Sequence, residues 1–124
     1  MAYPYYSGAF WQPPPVALPL GGTGALRPLN EEDLNIWNMY EQHLKKKMQA
    51  QFNLSNYHHL QPVLVATQTV AGINYFFKVE LPYKKYATVR VYHIPWDVST
   101  HGKPEQVDVH GKLLDNPYEN VAYF

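Results

Sequence analysis

The spacing of apolar residues changes once along this chain, from threes and fours to twos, and that change limits what it can fold into. Leu34, Trp37, Tyr40, Leu44 and Met48 stand three or four apart, with Glu41 outside the stripe. This is the pattern of an amphipathic helix that buries one face. Its start is marked chemically: Asn30 can accept from free N–H groups, and Glu31, Glu32 and Asp33 bring negative charge to the positive end of the dipole. Lys45, Lys46 and Lys47 read as the solvated face of the later turns, and the helix is predicted to end near Phe52, before Asn53. Beyond it, Val63, Val65 and Thr67 alternate with Leu64, Ala66 and Gln68. Tyr75, Phe77, Val79 and Leu81 alternate with Asn74, Phe76, Lys78 and Glu80, and Ala87, Val89 and Val91 with Thr88, Arg90 and Tyr92. A short run through Val107 and Val109 ends the series. Period two is that of strands with one face on a core. Turn residues separate them at Ala71-Gly72, Pro82-Tyr83-Lys84-Lys85 and His101-Gly102-Lys103-Pro104. The predicted class is α+β, one long helix wrapped by a curled antiparallel sheet of about four to five strands.

Composition narrows the function classes. A chain of 124 residues makes one domain with one core. Its 10 Lys and Arg balance 10 Asp and Glu, which argues against a nucleic-acid binder and against recruitment to an anionic membrane. It has 0 cysteines, so a disulfide, a thiolate metal site and a Cys nucleophile are all excluded. Met1 to Leu20 carries no Lys or Arg and is broken by Pro4, Pro13, Pro14, Pro15 and Pro19, unlike a signal peptide. These features together lead to an expected cytoplasmic location. The aromatic and proline-rich stretch 1–18 reads as an N-terminal arm, free until something binds it, and 19–124 as the folded domain.

The motif with most content is Gln68-Thr69-Val70-Ala71-Gly72, followed by Ile73-Asn74-Tyr75, between the first two strands after the helix. It resembles the Gln-X-Val-X-Gly motif of the cystatin family, with the continuation common in its intracellular branch, the stefins. Pro19-Leu20-Gly21-Gly22 is similar to the stefin N-terminal trunk, and the ending from Asp115 through Tyr118-Glu119-Asn120-Val121 to Phe124 resembles the acidic stefin terminus with its last aromatic. His93-Ile94-Pro95-Trp96-Asp97 departs from the pattern, since stefins usually carry Leu-Pro and secreted cystatins Pro-Trp. The loop running on to Glu105 is also longer than a typical stefin loop.

The resemblance implies a cystatin-like fold and reversible, competitive, tight-binding inhibition of papain-like cysteine proteases such as cathepsins of the L and B type. A wedge of three segments would enter the active-site cleft: the trunk with Leu20, Gly21 and Gly22, the first hairpin with Gln68, Thr69, Val70, Ala71 and Gly72, and the second with Pro95 and Trp96. It also implies a monomer able to form a domain-swapped dimer by opening the hairpin at Gln68 to Gly72. Each segment has a plainer reading. Gly21-Gly22 alone is a linker, Gly72 is a strand end, and Trp96 equally reads as packed on the core, where Trp usually sits.

His58-His59 begins no metal site, because adjacent residues of an extended chain point apart and no partners stand at useful spacing. Asn53-Leu54-Ser55 is a glycosylation sequon that matters only in the secretory pathway. No nucleophile motif, phosphate loop or paired acid and base is present, so neither an enzyme nor a cofactor is expected. The competing function is a non-inhibitory binding module on the same scaffold. Its arm, through Pro13-Pro14-Pro15 and the surrounding aromatics, would dock a partner's aromatic groove.

Overall fold

The computed structural model describes residues 23–55, 59–121 and 124. The arm 1–18, the trunk residues Leu20, Gly21 and Gly22, and His58 lie outside them. Helix α1 spans Glu31–Phe52. Four strands follow: β1 (Gln61–Val70), β2 (Gly72–Leu81), β3 (Lys85–His93) and β4 (Val107–Val109). They pair antiparallel in the order β1-β2-β3-β4, and the helix packs across one face. This is the predicted α+β class, and it is consistent with a cystatin-like fold.

The helix begins where its chemistry dictates. Asn30 accepts from the Asp33 N–H and Asp33 accepts from the Asn30 N–H, each at 2.9 Å, so two orphan donors are satisfied reciprocally. It ends at Asn53, which turns left-handed at φ 55°, a conformation asparagine tolerates better than most side chains. The buried stripe is Ile36, Trp37, Tyr40, Leu44 and Met48, with Asp33 below it. Leu34, placed on the stripe by spacing, is 43% exposed. It stands about 100° round the helix from Asp33, on the shoulder of the face, and Ile36 fills the opposite shoulder.

The strand alternation holds on the helix side. Val65, Tyr75, Phe77, Val79, Leu81, Ala87, Val89, Val91 and Val107 form one core with the helix stripe. Val63 is only half-buried, because the ladder shifts register between Pro62 and Leu64. Proline cannot donate to a ladder, and a bulge beside it absorbs the mismatch. The outer face departs further from the half-exposed sheet expected. Asn74, Phe76, Lys78 and Thr88 are buried there as well. The segment after β4 folds back over them: Leu114 bridges Tyr86, and Phe124 sets its ring against Phe76 and His110.

Candidate functional site at the hairpin end

The first hairpin is tight. Val70 pairs with Gly72, which leaves Ala71 alone at the tip. Gly72 takes φ 118°, a region L side chains rarely adopt, and a Cβ there would sit 2.9 Å from both the His93 carbonyl and the Tyr92 ring. Only glycine meets both demands. Thr69, Val70 and Ala71 are exposed, Val70 by 44%.

Gln68, expected among the contact residues, lies beneath the tip and is 6% exposed. It faces Asn74 across the ladder, and the Asn74 amide donates to Gln68 Oε1 at 2.9 Å. The pair braces the two strands under the tip, which gives the motif's glutamine a supporting part. Tyr92 adds a second brace from the neighbouring strand, its hydroxyl donating to the Ala71 carbonyl. Burial raises the Tyr92 hydroxyl above its ordinary pKa, so it remains a donor. The sequence reading missed Tyr92, because alternation marks it only as outward-facing.

The second hairpin joins β3 to β4 through residues 94–106. Its length, which the motif pattern leaves without a role, makes a built platform. The Asp97 N–H donates to the Ile94 carbonyl at 3.1 Å, and the Asp97 carbonyl accepts from the Thr100 N–H and hydroxyl at 3.0 and 2.7 Å. Ser99 donates to the Asp97 carboxylate at 2.6 Å. Gln106 donates to the Tyr92 carbonyl at 2.7 Å, and Lys47 of the helix reaches the carbonyls of Pro104 and Val107 at 2.9 and 2.6 Å. On this platform Trp96 is 68% exposed and Val98 74%. Trp96 therefore does not pack on the core, and the plainer reading of that residue fails.

Antiparallel pairing brings three segments to one end. Gly72, at the start of β2, lies against the end of β3, where Ile73 pairs with His93. Arg27 bridges Val65, and the Gly24 N–H donates to the Thr67 carbonyl at 2.8 Å. Traced backward, residues 27–24 thus run along β1 toward the tip. The described chain begins beside the first hairpin, with the second hairpin on its other flank.

A hollow of about 180 Å³ lies elsewhere, between the outer face of the sheet and the final segment, lined by Lys78, Thr88, His110, Lys112 and Phe124 among others. Among the described residues no group of three or more His, Asp or Glu side chains could hold a metal ion, and no helix is long and apolar enough to cross a membrane. Set against known proteins, the chain matches no family model and no curated protein.

Proposed function

We propose that this chain inhibits papain-like cysteine proteases, reversibly and competitively, by filling the active-site cleft with the segments gathered at its hairpin end. The observation that carries this reading is the convergence of residues 24–27, the Val70-Ala71-Gly72 tip and Pro95-Trp96 at one end of the sheet, with Val70 and Trp96 exposed. A cleft that cuts extended peptides is narrow, and a tip of small residues can bring main chain close to the catalytic groups. Because the tip is braced by Gln68, Asn74 and Tyr92, it loses little freedom on binding. Trp96 supplies the apolar anchor, worth about 2 kcal/mol or more if desolvated at the centre of an interface. Leu20, Gly21 and Gly22 would extend the contact on the non-primed side.

Papain and a cathepsin L-type enzyme are titrated with the purified chain and followed with a fluorogenic substrate. Competitive inhibition in the nanomolar range or tighter is expected. Gly72→Trp, which pushes a side chain into Tyr92 and the His93 carbonyl, should weaken it severely. A folded protein with no effect at micromolar concentration would sink the proposal.

A further inference from the structure

Under the loop 94–106 three titratable rings meet. Tyr40 of α1 and His93 at the end of β3 are both buried, with the Tyr40 oxygen 2.9 Å from His93 Nδ1. Either group can donate in this pair, according to the His93 tautomer, so a neutral ring completes it. His101 packs on His93 with ring centroids 4.5 Å apart. Its Nε2 lies 2.8 Å from the Ile94 carbonyl, an acceptor, so this nitrogen donates. Helix, strand end and loop are thereby tied together, and the tie is complete with His93 neutral.

We propose that Tyr40, His93 and His101 are positioning residues that clasp the Trp96 loop, and that the clasp loosens when His93 takes up a proton. The consequence for a bound protease rests on the inhibitor reading above; the clasp does not. A second ring proton would place a full charge in a buried site, 4.5 Å from the His101 ring and facing only the neutral Tyr40 hydroxyl from the helix. Opening the loop returns the ring to water and relieves that cost. The groups that face His93 are the Tyr40 hydroxyl from the helix and His101 from the loop, while its neighbours on β2, Gly72 and Ile73, cannot titrate. Among the described residues no carboxylate bears on its charge. Burial, and then His101, hold the His93 pKa below the ordinary histidine value. The sign follows: an opened loop binds a proton more readily than the closed one, so the closed form loses ground as pH falls below about 6.5. A protease held at neutral pH would be released on acidification.

The test follows the free, full-length chain by NMR from about pH 7.5 to about pH 5, the range in which histidine titrates. The His93 ring, the Trp96 indole and the amides of 94–106 are expected to shift together, with a midpoint below the ordinary histidine value. His93→Gln keeps an acceptor for Tyr40 but cannot titrate, so its loop signals should stay flat. His101→Gln keeps a donor for the Ile94 carbonyl and removes the neighbouring charge, so the His93 midpoint should rise. Loop signals that are flat in the native chain, or that shift equally in His93→Gln, overturn the clasp. Should that variant fail to fold, an unmoved midpoint in His101→Gln does the same. In a second arm, affinity for catalytically inert papain should fall several-fold more on acidification in the native chain than in His93→Gln, and equal falls also overturn the clasp. No papain binding at any pH would overturn the inhibitor reading and the release of a protease, with the clasp itself decided by the NMR arm.

Discussion

At the scale of single residues, two side chains show how unequal a sequence's signals are. Gly72 was legible as a tip residue because a small, φ-permissive residue must stand where two strands reverse so tightly. Asp33 was legible only as negative charge near a helix start. It is in fact a buried knot: it closes the capping box with Asn30 and pairs with Arg27, which bridges β1 at Val65. Burial alone would raise the Asp33 pKa, but the Arg27 hydrogen bond, the Asn30 N–H and the Arg27 charge outweigh it and hold the carboxyl below its ordinary value. A depressed carboxyl stabilises the fold above its unfolded pKa and loses that contribution as pH falls through the folded one. Asp33→Asn should therefore lower stability near neutral pH by about 1 kcal/mol, less than a fully buried charged hydrogen bond because Arg27 is partly exposed. Urea midpoints at neutral and strongly acidic pH would check this, with the gap closing in acid. An equal gap at both would mean that the carboxylate's charge contributes nothing.

At the scale of elements, the second hairpin departs most from the motif pattern. A loop this long would ordinarily cost order. Here Asp97, Thr100 and Lys47 satisfy carbonyls within it, and Gln106 ties it back to the Tyr92 carbonyl of β3, which turns it into a platform. The sequence could not show this, because Lys47 and Pro104 meet only after the helix and sheet have packed. The platform separates two properties that a Trp usually joins. Since Trp96 is 68% exposed, Trp96→Ala should leave thermal stability within about 0.5 kcal/mol of the native value. The same change should weaken protease inhibition by roughly thirtyfold, the ratio corresponding to about 2 kcal/mol. Calorimetry and inhibition titration on the same preparation separate the two effects. A large drop in melting temperature would show instead that the indole supports the loop.

At the scale of the whole molecule, the sheet is covered twice, by the helix on one face and by the final segment on the other. Lys78 is trapped by that second cover. It is 2% exposed, donates to the Thr88 hydroxyl at 3.0 Å, and has Glu119 near enough to act on its charge. Burial nevertheless pushes its pKa below the ordinary lysine value, with Glu119 opposing. A buried charge that is only partly compensated is expensive, and a similar-sized apolar side chain often does better. Lys78→Met should be as stable as the native chain or up to about 2 kcal/mol more stable at neutral pH. The unfolded chain keeps the lysine proton to higher pH than the folded one, so native stability should rise as pH approaches the ordinary lysine range and the variant's advantage should shrink. Denaturant curves at neutral and alkaline pH measure both trends. A clear loss of stability at neutral pH would mean that the ammonium is a net support for the outer face.

What the sequence determined by itself was everything that depends on near neighbours along the chain. The helix and its cap follow from Asn30 and an apolar stripe, the strands from period two, and the tip from the residues around Gly72, because each of these is settled within a few residues. The inner core was legible for the same reason, since one face of each element announces itself by spacing. Only the tertiary structure decided which faces were buried a second time, whether Trp96 stood in water or in the core, and that Gln68 braces the tip from beneath. Phe76 and Lys78 look like residues facing water until Phe124 and the final segment are laid across that face, from more than thirty residues away. The clasp of Tyr40, His93 and His101 is of the same kind: three side chains from three elements, invisible to any local pattern, brought within hydrogen-bonding and stacking distance because the apolar faces had to close on one another.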